Sequence, residues 1–271
     1  MIVGIINGYY RSGTTIFQRF VELCDPDAIV LCEPTQHEVV FHVMKYGCDN
    51  VHPLHGFKVF DGYLRLPKKT LRDFFERWLY FVHDEPNNHG IFTDPDDAIA
   101  LLEPLHECPR RIVVKSTQLS LVLREVVEEF DCWCVHLTRP IENTVYDHFP
   151  DLQSFLTFSR SYDATIPFYG DLVYARIVGK FGVKHDLRKP IERLVFNVYF
   201  VNNYVNKIAR SVDDITVLDF EKFVANPDET IETLPFEADT EIAERVFDRN
   251  RIRPVPDVVK TIVHQIVKRL F

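Results

Sequence analysis

The chain has no apolar run approaching the roughly 20 residues that span a bilayer, and its first residues lack a basic stretch followed by a signal-like apolar segment. Both absences predict a soluble, cytoplasmic protein without a membrane partner. Basic residues are in deficit, with 31 Lys and Arg against 40 Asp and Glu in 271 residues, a formal charge of −9. A surface of that sign does not suit nucleic acid or an anionic membrane, so any anion site has to be local. None of the six cysteines forms a C-x-x-C; the closest pair, Cys132 and Cys134, brackets one residue and shares one side of an expected strand. They are read as reduced thiols. The histidines have no metal-ligand spacing, so no metal is expected. Internal repeats and low-complexity segments are missing too.

What is present is an apolar content of 46%, enough for a substantial core, in a length that suits one α/β domain over residues 1–271. The N-terminus organises it. Ile2 to Ile6 reads as a buried strand, a turn with Gly8 and Gly13 follows, and Ile16, Phe17, Phe20, Val21 and Leu23 then recur at helical spacing. The spacing Gly8-x4-Gly13-Thr14-Thr15 matches a phosphate-binding loop except that Thr14 stands where lysine is expected. The loop carries Arg11 instead. Its backbone N–H groups, the open amides at the helix start and the hydroxyls of Ser12, Thr14 and Thr15 are anion donors, and the planar fork of Arg11 can take two phosphate or sulfate oxygens. The plain alternative is a β–α turn with a surface arginine.

Further along, Ala28 to Cys32 reads as a second strand ending in Glu33-Pro34, Arg111 to Lys115 as a third, Cys132 to Leu137 as a fourth ending in Thr138-Arg139-Pro140, and Ile215 to Phe220 as a fifth. Helical periodicity predicts helices over Thr35 to Tyr46, around Leu71 to Val82, over Leu119 to Phe130, from about Ile191 to Arg210 and from Pro256 to Leu270. Residues from about 47 to 110 read as a helical and loop insertion, with His83 to Asp97 as loop, and those from about 150 to 190 as a variable cover. The expected fold is α/β, a mainly parallel sheet of about five strands flanked by helices. In such sheets ligands sit beyond the carboxyl ends of strands. Arg11, Glu33, Lys115 and Arg139 all fall at that edge, although Glu33 alone reads equally as a solvated loop charge and each cation alone as a surface charge.

These residues resemble the sulfotransferases that use 3′-phosphoadenosine 5′-phosphosulfate (PAPS), and their carbohydrate branch more than the small-molecule cytosolic branch. Arg11-Ser12-Gly13-Thr14-Thr15 looks like that family's 5′-phosphosulfate loop. Glu33-Pro34 with His37 resembles its Glu-Pro-x-x-His segment, which implies Glu33 as general base and His37 as an acceptor contact. Arg110 to Thr117 resembles the third-strand segment, with Thr117 where the cytosolic branch carries its catalytic histidine. Val135 to Pro140 resembles the 3′-phosphate segment, implying Arg139 as a 3′-phosphate ligand; the residue expected to be serine is Tyr146, so that either Tyr146 or Thr144 supplies the hydroxyl or 3′-phosphate binding is weak. Arg251 or Arg253 stands where many members present a late basic residue to the nucleotide.

The resemblance implies a P-loop-like architecture with PAPS as co-substrate. It implies an in-line sulfuryl transfer to the hydroxyl of a carbohydrate or other small molecule, with Arg11, Lys115 and Glu33 as the catalytic groups and no metal. Two alternatives stay open on the sequence: a P-loop nucleotide kinase or NTPase with Asp219 as its metal partner, and a nucleotide-binding protein of the same fold without catalysis.

Overall fold

A computed structural model describes residues 1–48, 57–84, 91–167, 170–183, 187–247 and 252–271. The chain opens as β1 (Ile2–Gly8), α1 (Thr14–Cys24), β2 (Ile29–Cys32), α2 (His37–Tyr46), α3 (Asp61–Arg65), α4 (Lys68–Asp84) and α5 (Pro95–His106). It continues through β3 (Ile112–Lys115), α6 (Leu123–Phe130), β4 (Trp133–Thr138), α7 (Ile141–Tyr146), α8 (Leu152–Arg160), α9 (Gly170–Phe181) and α10 (Pro190–Ala209). It closes with β5 (Ile215–Asp219), α11 (Phe220–Ala225), α12 (Pro227–Ile231), α13 (Thr240–Val246) and α14 (Asp257–Leu270).

The five strands form one parallel sheet in the order β2-β3-β1-β4-β5. Parallel strands need crossovers, and the helices that supply them cover both faces, so the strands read as unbroken apolar runs. Ile2, Ile5, Leu31 and Val114 pack into one layer with Phe74 and Trp78 of α4 and Leu101 and Leu105 of α5. Ile6, Val30, Val113 and Val135 pack into the other with Phe17 and Phe20 of α1 and Phe223 of α11. A third cluster joins Tyr9 and Tyr10 to Val145, Phe155, Val173, Val198 and Val263, and so ties α7 to α10 and α14 to the segment after β1. Chain order places the reversal beside β1: the connection leaving β1 runs to one side, and the one leaving β3 crosses to the other. That is the crevice where an open α/β sheet binds its ligand.

The five-stranded α/β sheet expected from the sequence is present, and every pairing in it is parallel. Differences lie in the helices. Residues 95–106, inside the stretch expected to be irregular, form α5: Asp94 Oδ1 accepts from Asp96 N at 3.0 Å as an N-cap and Pro95 stands in the first turn, where its missing N–H costs nothing. Pro104 lies within the same helix and is buried. The expected helix over 119–130 begins at Leu123, after a turn that buries Leu119 and Leu121. In α4 the apolar face contains Phe74 and Trp78, whereas Leu79 faces outward and is 43% exposed.

Beneath the carboxyl edge, β1 and β4 carry a buried polar pair in register, Asn7 opposite His136. Asn7 Nδ2 and His136 Nδ1 lie 2.9 Å apart, and Asn7 Nδ2 also donates to Ser120 Oγ at 3.1 Å. Burial pushes the His136 imidazole down to about 4, with Asn202 of α10 opposing part of the shift. A histidine lowered from the ordinary value near 6.5 contributes stability that is complete above that value and falls with pH until the folded value is passed. We therefore expect unfolding free energy to drop by roughly 3 kcal/mol between pH 7 and pH 4 on account of this one group. Urea titrations of the protein and of a His136→Asn variant measure it. Parallel acid sensitivity in the two would remove His136 as its source.

Candidate functional site

The loop after β1 turns back through a Ser12 N to Tyr9 O hydrogen bond of 3.0 Å. Arg11 and Gly13 both adopt positive φ, +69° and +97°. For Gly13 that state is unstrained and sterically required, because a Cβ there would lie 2.8 Å from the Phe220 ring. Gly8 is needed for close approach: a Cβ on it would stand 2.3 Å from Ser12 Oγ. Ser12 Oγ is buried with no hydrogen-bond partner among the described residues, and α1 begins at Thr14 with no side-chain cap and no acid in its first turn. Open amides, an unengaged hydroxyl and an uncapped helix start together suit an anion. The Arg11 side chain is exposed, and Asp147 lies near enough to offset part of the downward pull that partial burial exerts on its guanidinium.

On one flank, the ends of β2 and β3 bring Glu33 and Lys115 together. Cys32 and Lys115 are register partners, and the ladder continues one step as Glu33 N donates to Lys115 O at 2.6 Å. Glu33 then takes φ +49°, an uncommon backbone state outside glycine, which turns its side chain back over the edge. Its Oε1 accepts from Lys115 Nζ at 2.6 Å and from Thr117 Oγ1 at 3.0 Å, and its Oε2 accepts from Thr117 N at 2.9 Å. Glu33 and Lys115 are 4% and 5% exposed. Burial by itself would lower the Lys115 ammonium, but the Glu33 carboxylate outweighs it and holds the lysine above its ordinary value. The Lys115 ammonium is therefore kept charged at neutral pH, and its contribution falls as pH rises through that raised value.

Tyr10 links this pair to the loop. Burial raises its phenol, the Glu33 charge adds to the rise, and the Thr117 and Gln118 side chains oppose part of it. Thr35 Oγ1 and Ser116 Oγ, 2.6 Å apart, close the floor.

On the other flank, Arg139 leaves β4 and is 8% exposed. Its Nε donates to Glu221 Oε1 at 2.9 Å, and its Nη1 donates to Asp147 Oδ2 at 2.5 Å and to the Arg11 carbonyl oxygen at 2.9 Å. Tyr146 is 4% exposed, with the Arg253 guanidinium 3.8 Å from its ring centroid. Arg253 also donates to Phe149 O at 2.6 Å. Arg251 lies outside the described residues. His37 stacks on Trp78 at 5.0 Å and on Phe41 at 6.3 Å between centroids.

The structure thus gathers Glu33, Lys115 and Thr117 on one side of the loop and Arg139, Tyr146 and Arg253 on the other. Tyr10 and Asp147 carry no mark in the sequence, and Glu221 reads there as scaffold. Glu221 follows the Asp219 N-cap of α11, whose Oδ1 accepts from Glu221 N and Lys222 N at 3.1 Å each; that Asp-x-x-x start after a strand was the available signal. No group of His, Cys, Asp and Glu suited to a metal ion occurs among the described residues, and none of the described helices is long and apolar enough to cross a membrane.

No protein-family model matches the chain. An Archaeoglobus fulgidus protein, described as uncharacterized, is 28% identical over 145 residues. That match covers 52% of this chain and 46% of the archaeal protein, so the chain spans under half the length of this relative. Among solved structures, a sulfotransferase domain from the curacin biosynthetic pathway is similar over 98% of this chain and 97% of that one, at 12% identity and a TM-score of 0.39. A likeness of that size carries no argument about this chain.

Breaking a buried ion pair by removing one partner costs about 3–5 kcal/mol, because the other charge is stranded. We expect that loss for Lys115→Met in urea unfolding, and recovery of most of it in the Glu33→Gln/Lys115→Met double variant. Additive losses in the double variant would mean that the two groups act separately.

Proposed function

We propose that the chain is a sulfotransferase that moves a sulfuryl group from PAPS to the hydroxyl of a carbohydrate or other small molecule. The supporting observation is the pairing of an anion loop whose cation is Arg11 with a buried carboxylate at the end of the neighbouring strands. The loop amides, Ser12, Thr14, Thr15 and the Arg11 fork bind the 5′-phosphosulfate. The acceptor oxygen attacks sulfur in line, the bond from sulfur to the 5′-phosphate oxygen breaks, and the products are a sulfate ester and adenosine 3′,5′-diphosphate. The acceptor's proton goes to Glu33.

The orientation of Glu33 suits that role. Lys115 and Thr117 hold Oε1, and the Thr117 amide holds Oε2 on one side only. When the carboxylate takes a proton its charge is lost, and Lys115 is then an unbalanced cation at the edge where negative charge gathers on the leaving phosphate. Proton acceptance and charge stabilisation are coupled through one hydrogen bond. The resemblance assigns His37 to the acceptor, and its ring stacks on the buried Trp78 and on Phe41, which is 49% exposed.

The kinase alternative needs a metal-binding acid, and the Asp219 carboxylate is engaged in capping α11. Thermal shift separates the two readings. Adenosine 3′,5′-diphosphate should raise the melting temperature and ATP–Mg²⁺ should leave it unchanged; stabilisation by ATP–Mg²⁺ alone would sink the sulfotransferase reading. With labelled PAPS and a panel of hydroxyl acceptors, Arg11→Ala and Glu33→Gln should each lower turnover by about 10²-fold or more with the fold retained. Full activity in Glu33→Gln would remove it from the base role, and absence of transfer by the unaltered protein to every acceptor would favour a binding protein.

A further inference from the structure

Arg139 stands at the carboxyl edge beside the loop, yet its guanidinium is turned inward onto protein groups. Nε and Nη2 lie 2.9 and 2.8 Å from Glu221 Oε1, and Nη1 meets Asp147 Oδ2 at 2.5 Å and the Arg11 carbonyl oxygen at 2.9 Å. Asn143 Nδ2 donates to the same Glu221 oxygen at 2.6 Å and fixes that carboxylate in turn. One guanidinium against two carboxylates leaves this cluster with a net charge of −1 (+1 − 2). A phosphate approaching Arg139 would have to displace both acids and would be repelled by them.

The contacts serve the loop instead. Arg11 holds a backbone state that persists only where its surroundings impose it, and Arg139 bonds the carbonyl of that residue. Phe220 bears on Gly13, two residues on. Both buttresses come from one corner, because the Asp219 cap that starts α11 sets Phe220 toward the loop and Glu221 toward Arg139. The loop is therefore clamped at Arg11 from β4 and at Gly13 from the β5–α11 corner.

We infer that Arg139 is a positioning residue that sets the anion loop through the Arg11 carbonyl, and that it is not a ligand of the donor's 3′-phosphate. The inference rests on the phosphosulfate reading of the loop. Selection for a 3′-phosphate then has to come from a group other than Arg139.

The test compares adenosine 3′,5′-diphosphate with 5′-AMP by calorimetry in the unaltered protein, Arg139→Lys and Glu221→Gln. Lysine keeps the charge but cannot span Glu221, Asp147 and the Arg11 carbonyl at once. Both variants should weaken the two nucleotides by the same factor, roughly tenfold, the size of one lost charged hydrogen bond. Selective loss of the 3′,5′-diphosphate in Arg139→Lys would overturn the proposal, as would a gain for it in Glu221→Gln, which frees the guanidinium. Amide exchange over residues 9–15 gives a readout without ligand. Faster exchange there in Arg139→Lys, with β1 and β4 unchanged, supports the clamp; unchanged loop exchange overturns it whatever the nucleotides do. If the unaltered protein binds neither nucleotide, the sulfotransferase reading fails and exchange alone decides the role of Arg139.

Discussion

The parallel ladder is the constraint from which the rest follows. Because every strand runs the same way, all five carboxyl ends and the residues that leave them meet on one edge, and each polar group delivered there has to find a partner. β2 and β3 resolve this by extending their ladder one step and folding Glu33 back over Lys115. β4 and β5 resolve it by turning Arg139 and Glu221 toward each other across the Thr138–Asp219 register pair. The loop after β1 lies between the two solutions, in the central strand, and is shaped by both.

The two flanks differ in charge in a way that bears on chemistry. Glu33 and Lys115 cancel while both are ionised, so an anion meets no net field from them until a proton arrives and the lysine is left alone. Arg139 is paired with both Asp147 and Glu221, so its guanidinium is occupied by protein carboxylates. In a protein of formal charge −9, an anion at this edge would depend on the loop amides, its hydroxyls and Arg11. A narrow zone of that kind would favour a group small enough to enter the loop over a polyanion spread along the edge.

Legibility in the sequence follows from how local the cause is. The strand, loop and helix at the N-terminus were readable because a run of apolar residues, two glycines at fixed spacing and a helical repeat all lie within two dozen positions. The arrival of Glu33, Lys115 and Arg139 at one edge was readable too, since each ends or directly follows a strand. Their partners were not. Thr117 carries no sign that it will orient Glu33, because that contact depends on the pairing of Cys32 with Lys115 across two strands. Glu221 lies 82 residues from Arg139, and spacing has no bearing on such a pair. α5 was hidden for another reason: the polar run His83 to Asp97 reads as loop up to the residues that start the helix, although Pro95 suits a helix start and the Asp94 cap before it marks one.

Arg11 and Arg139 show what that limit means for reading a site. Both are arginines at strand ends on one edge, and by sequence each is a candidate for a phosphate. Their surroundings separate them. Arg11 sits on a turn beside the unpartnered Ser12 Oγ and the uncapped start of α1, and its side chain is exposed; Arg139 is closed in by two carboxylates and by the carbonyl of Arg11 itself. A guanidinium has a fixed fork of donors, and those spent on Glu221, Asp147 and the loop carbonyl cannot also hold an incoming phosphate. The same residue type thus has opposite surroundings at two neighbouring positions, one with its side chain exposed on the turn and the other bonded to the backbone of that turn.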